Sequence, residues 1–258
     1  MAPEPLRVLL LGGTGEALAL GQALEQEPGI AAVYSVAGVT RRPRLPRLPV
    51  RRGGFGGVAG LAGYLRQHGV HCLVDATHPF AAGISANAAA AARQTGTTLL
   101  AVRRPAWQPG PDEQWHRVAD MAAAAQALGP QPGRVLLTIG NQEVPAFCAA
   151  PHHHYWIRCL EPPERVPPGA RILFQRGPFH YADECRLLRE HGIDTLVTKN
   201  AGGAATRSKL DAARDCGVRI VMVERPPDPP EAEVATEVEQ ALAWLRRRRP
   251  AAADPRLG

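Results

Sequence analysis

The chain is poor in aromatic residues, with 4 Trp, 4 Tyr and 5 Phe in 258 positions. They are too few and too dispersed to form the stacking surface that single-stranded nucleic acid requires. Long apolar runs are also missing: residues classed as hydrophobic make up 45%, yet no stretch nears the ~20 residues of a membrane span. No two of the five cysteines (Cys72, Cys148, Cys159, Cys185, Cys216) are spaced C-x-x-C. That argues against a zinc ribbon or redox motif and predicts buried, reduced thiols. The chain enters a strand-like run at 6–11 with no separate signal-peptide core, so a cytoplasmic protein is expected. Short-period repeats are absent, and low complexity is confined to the tail.

What is present is strand–helix alternation. Apolar runs predict strands at 6–11, 32–37, 50–52, 72–75, 98–102, 134–138, 155–159, 171–174, 195–198 and 219–223. Helical segments are predicted at 16–25, 58–67, 81–94, 119–128, 142–148, 182–191, 204–216 and 231–247. Such alternation implies mainly parallel sheets covered on both faces. The proline-rich stretch 103–115 is the best linker, which divides the chain into 1–110 and 111–258. The expected fold class is α/β: two Rossmann-like domains with mainly parallel sheets facing across a cleft, and a disordered tail after about residue 248.

Polar groups cluster just past three strands, where open α/β sheets bind ligands. Gly12-Gly13-Thr14-Gly15-Glu16 lies between the first strand and first helix, as a dinucleotide fingerprint requires. The match to G-x-G-x-x-G is incomplete, because Leu18 occupies the third glycine position, and a tight turn without ligand is the bland alternative. An NAD-binding domain carries an acid near the end of its second strand, but here the chain reads Thr40-Arg41-Arg42. Arginine there suits a 2′-phosphate and so NADPH; a solvated loop is the alternative. In Gly53-Gly54-Phe55-Gly56-Gly57, the glycines allow close backbone approach to adenine or pyrophosphate, with a flexible loop and tucked-in Phe55 as the alternative.

The other two strand ends are Asp75-Ala76-Thr77-His78-Pro79-Phe80-Ala81 and Lys199-Asn200-Ala201-Gly202-Gly203. Together with the glycine segments, Asn87, Thr206, Lys209 and Val223-Glu224-Arg225-Pro226, they resemble the precorrin-6A reductases of cobalamin biosynthesis, from Leu6 to about Leu245. The resemblance implies reduction of precorrin-6A to precorrin-6B by NADPH, with hydride delivered to C19 and a proton to C18 of the macrocycle. In an anaerobic branch the substrate carries cobalt, which is the nearest alternative. Ala201 departs from the small polar residue expected there. The implied partner is a poly-carboxylate tetrapyrrole, with transient contact to neighbouring pathway enzymes and no role for nucleic acid or membrane.

Expected roles follow. Gly12, Gly13, Thr14, Gly15, Glu16, Thr40, Arg41, Arg42, Gly54, Phe55 and Thr77 bind the cofactor. His78 contacts nicotinamide or substrate, or donates the proton, against a helix-capping alternative. Lys199 holds a carboxylate or stabilises charge during transfer, against a surface-lysine alternative. Asn87, Arg176, Asn200, Gly202, Gly203, Lys209 and Arg225 are assigned to substrate; Asn87 could equally be a buried amide. Adjacent His152-His153-His154 cannot converge easily on one ion and have no acid or cysteine nearby, so no metal site is expected. A rival reading from another class, a nucleotide- or nucleic-acid-binding regulatory module, rests on the net charge of +6 and Arg246-Arg247-Arg248-Arg249. Arginines closing a terminal helix would equally complement its dipole.

Overall fold

A computed structural model of the chain describes residues 4–38, 44–111 and 113–250. These form two units: Met1–Arg104 with Pro226–Gly258, and Pro105–Arg225.

The first unit holds strands β1 (Leu6–Leu11), β2 (Ile30–Val36), β3 (Val50–Arg52), β4 (Cys72–Asp75), β5 (Thr98–Val102) and, late in the chain, β12 (Glu233–Ala235). All pair in parallel, in the order β3-β2-β1-β4-β5-β12. That is the 3-2-1-4-5-6 order of a doubly wound dinucleotide-binding sheet, with its switch point between β1 and β4. Alternation along β1 shows why both faces need cover. Leu6, Val8 and Leu10 join one core cluster, while Leu9 and Leu11 join the other. The first cluster includes α1 (Gly15–Leu24) and α7 (Val238–Arg248), and the second α2 (Gly57–Gln67) and α3 (Ala82–Thr95).

The second unit holds β6 (Trp115–Val118), β7 (Arg134–Thr138), β8 (His154–Cys159), β9 (Arg171–Phe174), β10 (Thr195–Lys199) and β11 (Arg219–Val223). Its parallel sheet has the order β9-β8-β7-β10-β11-β6. From β7 onward this repeats the pattern of the first unit, and β6 takes the sixth place. The helices are α4 (Met121–Ala127), α5 (Tyr181–Glu190) and α6 (Ser208–Asp215). The short helix expected at 142–148 is a 3₁₀ helix, Val144–Ala149, and the helix expected at 204–216 is a 3₁₀ turn, Ala204–Thr206, followed by α6.

The α/β class with two all-parallel sheets is as expected. The partition differs from a single boundary near residue 110: the chain changes unit at 104/105 and returns at 225/226. The physical cause is β12, whose residues Glu233–Ala235 extend the first sheet by pairing with Leu100–Val102. Segment 226–250, expected in the second domain, therefore belongs with the first. The expected tail after 248 lies mostly outside the described residues; α7 itself ends at Arg248.

Candidate functional site

At the end of β1, Gly12 is glycine by necessity: a Cβ there would lie 2.2 Å from Cζ of Tyr34 on β2. Tyr34 is fully buried, and its hydroxyl accepts the Gly13 N–H at 3.2 Å. Burial pushes its phenol up, against the opposing Gly13 bond, which keeps it neutral. Gly13 has φ +119°, a conformation that disfavours a side chain. Thr14 caps α1 by accepting the Ala17 N–H at 3.1 Å and donates to the Ala76 carbonyl at 2.8 Å. One hydroxyl therefore joins the ends of β1 and β4 across the switch point. Added Cβ atoms at Gly13 and Gly15 would meet nothing within 4 Å. The first-turn N–H groups of Gly15 and Glu16 are ones a helix cannot satisfy itself, at the positive end of its dipole. This open glycine cradle fits a phosphate. The Glu16 carboxylate takes Arg104 Nη1 at 3.0 and 3.2 Å, so its charge is neutralised beside the cradle.

Past β4, Asp75 faces inward. Oδ1 accepts from Thr77 N and Oγ1 at 3.1 and 2.6 Å, and Oδ2 from Ser85 Oγ at 2.6 Å and Arg103 Nη2 at 2.5 Å. Burial pushes this carboxyl up, but the Arg103 charge and the bonds from Arg103, Ser85 and Thr77 outweigh it and hold it below the usual carboxylate range. Asp75 is thus a fixed anion that shapes the turn. Arg103 also donates Nη1 to the Asp75 carbonyl at 2.7 Å and Nε to Asp228 at 2.7 Å. His78 is exposed; its Nδ1 accepts the Phe80 N–H at 3.3 Å and its carbonyl the Ala81 N–H at 2.7 Å. The imidazole therefore helps form the turn into α3 while remaining accessible. Asn87 is half-buried on α3.

In the turn after β3, Arg51 donates to the carbonyls of Gly53 and Gly54 and stacks 3.6 Å above the Phe55 ring. Phe55 meets Tyr64 edge-on at 5.4 Å. Thr40, Arg41 and Arg42 lie outside the described residues.

In the second unit, Lys199 closes β10 and pairs with Glu143 at 3.3 Å. Glu143 follows β7, the neighbouring strand, so this pair bridges the second switch point. Burial pushes the Lys199 ammonium below the ordinary lysine range, with the charge and hydrogen bond of Glu143 opposing. Asn200 is fully buried. Its Oδ1 accepts the Trp107 N–H at 2.9 Å, and Nδ2 donates at 3.3 Å both to the Trp107 carbonyl and to Glu224. Lys209 is buried with Nζ 5.4 Å from the Trp107 ring centroid, and Arg225 Nε donates to the Asn200 carbonyl at 3.2 Å. Gly202 has φ +71°, and a Cβ there would lie 2.1 Å from the Pro105 carbonyl oxygen; the Gly203 carbonyl accepts Trp107 Nε1–H at 2.9 Å.

The structure thus gathers Asn200, Gly202, Gly203, Lys209 and Arg225 around the segment 105–107. The Asn200 amide bonds the Trp107 backbone and Glu224, and the buried Lys209 ammonium lies over the Trp107 ring. Arg176 stands apart, exposed after β9. Sequence reasoning missed Arg51, Arg104 and Glu143; each lies within a few residues of a glycine turn or strand end, the one signal that marked them. His152 and His153 both place Nε2 near the Gly129 carbonyl (3.0 and 3.2 Å), and His153 Nδ1 accepts from Gly133 N, so these rings shape a loop. Of the basic run, Arg246 pairs with Glu27, Arg248 with Glu233, and Arg249 donates to the Pro28 carbonyl. No described helix is long and apolar enough to cross a membrane.

Comparison with known proteins gives a consistent result. The family model described as precorrin-6x reductase CbiJ/CobK matches residues 7–246. A precorrin-6A reductase of Rhodococcus erythropolis is 52% identical over 240 residues, covering 93% of this chain and 97% of the relative. One of Rhodobacter capsulatus is 46% identical over 241 residues, covering 93% and 95%. A solved structure, "CobK precorrin-6A reductase", superposes with a TM-score of 0.86 at 46% identity, covering 93% and 96%.

Proposed function

The chain belongs to the precorrin-6x reductase family, and from that premise we propose that it reduces precorrin-6A to precorrin-6B in cobalamin biosynthesis, with NADPH as the reductant. The extent of the likeness carries this reading: the match over residues 7–246 includes segments of both units and every described strand but the first residue of β1. The open glycine cradle at the first switch point supports a dinucleotide, and the carboxylates of the macrocycle suit the cations of the second unit.

When bound, the reduced nicotinamide would supply hydride to C19, with a proton added at C18. Gly12, Gly13, Thr14, Gly15 and the backbone of Glu16 hold the pyrophosphate, while Thr40, Arg41 and Arg42 take the 2′-phosphate. Gly54 and Phe55 lie along the adenosine, and Thr77 orients the nicotinamide. His78 contacts nicotinamide or substrate, and its accessible imidazole is the proposed proton donor. Lys199 and Arg176 each take a substrate carboxylate, and Asn87 is a further contact. Asn200, Gly202, Gly203, Lys209 and Arg225 complete the substrate side of the site, packed around the segment 105–107. The protein acts in the cytoplasm, in transient contact with the enzymes that make or consume the ring.

The test is incubation of the full chain with NADPH and precorrin-6A, following loss of nicotinamide absorbance and the gain of two hydrogens in product mass. No turnover where a known precorrin-6A reductase works would refute the proposal; turnover of cobalt-precorrin-6A alone would reassign the substrate.

A further inference from the structure

We infer that Arg51 recognises the 2′-phosphate of the cofactor and sets the preference for NADPH over NADH; this rests on the cofactor proposal above and adds a residue to it. In parallel register Arg51 lies opposite Ser35 and Arg52 opposite Val36, while the Gly53 N–H donates to the Val36 carbonyl at 2.9 Å. Arg51 is therefore one strand spacing, about 4.8 Å, from the end of β2. In a sheet of this order that strand end meets the ribose 2′ substituent, and an arginine nearby accommodates a phosphate there.

The side chain is built rather than loose. Nη1 and Nη2 donate to the Gly53 and Gly54 carbonyls at 2.5 and 2.8 Å, and Cζ sits 3.6 Å over Phe55. Phe55 is held by Tyr64, and its carbonyl oxygen lies 1.7 Å from where a Cβ on Gly60 would be, so only glycine lets this turn rest on α2. A guanidinium has five N–H donors, and the two carbonyls engage one on each Nη. Among the described residues the contacts of Arg51 are two carbonyls and two aromatic rings, with no carboxylate. An immobilised, uncompensated, half-buried guanidinium loses little entropy on binding an anion and offers bidentate geometry.

The experiment titrates the full chain with NADPH and NADH by nicotinamide fluorescence, and with 2′,5′-ADP and 5′-ADP by calorimetry. Arg51→Gln is expected to weaken NADPH and 2′,5′-ADP about ten- to a hundredfold, leaving NADH and 5′-ADP unchanged. Phe55→Leu, which keeps the charge but removes the stack and the adenosine contact, should weaken all four ligands, with a smaller extra loss for NADPH and 2′,5′-ADP. Equal losses for all four ligands in Arg51→Gln would make Arg51 a structural clamp and overturn the inference. So would loss of preference in Arg41→Ala with Arg42→Ala but not in Arg51→Gln. A wild-type chain that binds neither nucleotide overturns the cofactor proposal itself, and Arg51 with it.

Discussion

Asn200 grips Trp107 through both of its backbone groups, accepting the N–H at 2.9 Å and donating to the carbonyl at 3.3 Å. A side-chain amide here acts as a strand neighbour would, and it satisfies a segment that has just entered the second unit. Asn200→Ala would leave a buried N–H unpaired and should cost about 1–3 kcal/mol in urea unfolding. Asn200→Asp keeps the acceptor but sets a second carboxylate beside Glu224, and should be destabilised as well. Unchanged stability with lost substrate affinity in Asn200→Ala would assign Asn200 to the ligand alone.

Asp75 and Arg103 form a buried pair, with side chains 2% and 4% exposed. Asp75→Asn strips one of the two carboxylates facing the buried guanidinium, Asp228 remaining, and should cost about 1–3 kcal/mol. The pH sign follows from the depressed folded pKa of Asp75. Its stabilisation is fully present above the unfolded value near ~3.9 and disappears as pH falls through the lowered folded value. Wild type should therefore lose stability steeply with acid below about pH 4, and Asp75→Asn should show a flatter acid limb in the same denaturant series. Parallel limbs would exclude Asp75 as a source of the acid sensitivity.

Two glycines three residues apart should respond oppositely to alanine. Gly12→Ala drives a Cβ into the Tyr34 ring and should cost about 1–3 kcal/mol of stability. Gly15→Ala meets nothing in the free protein and should melt as wild type does. Its methyl group would instead stand where a phosphate must approach, so NADPH should bind about tenfold more weakly, the loss of one charge-assisted bond. Calorimetric melting and NADPH titration of both variants give the comparison. Equal affinity in Gly15→Ala would count against the cradle as the phosphate site.

Much of this was legible in the sequence because buried parallel strands are continuously apolar: Val8-Leu9-Leu10-Leu11 and Leu196-Val197 needed no context. Of the four edge strands, β3 and β9 were legible at 50–52 and 171–174, but β6 and β12 were not. β6 reads Trp-His-Arg-Val after a proline-rich segment, and β12 has three residues, so neither carries a hydrophobic period. The return of the chain to the first sheet depends on β12 meeting β5, a pairing more than a hundred residues long that no local pattern encodes. At the site, strand-end positions were readable but side-chain direction was not. Lys199 and Asn200 are adjacent and both polar; one is partly exposed beside Glu143 and the other fully buried against Trp107. Alternation along the chain end puts them on different sides, and only the fold says which side is occupied.

Lys199 and Glu143 make the pH dependence of substrate binding testable. Burial lowers the Lys199 pKa and Glu143 raises it partway back, so affinity for a carboxylate substrate should fall with rising pH earlier than for an ordinary lysine. Glu143→Gln removes the anion that favours the charged form, which should move this alkaline limb to still lower pH. Lys199→Arg keeps a charge that does not titrate in the accessible range and should abolish the limb. Lys199→Met should raise KM about ten- to a hundredfold on the acid side of the limb, with the difference from wild type closing above it. Profiles of kcat/KM for precorrin-6A across the four proteins decide the matter. A limb that stays in place in both Glu143→Gln and Lys199→Arg would belong to another group, and Lys199 would then be no more than the partner that holds Glu143 at the end of β10.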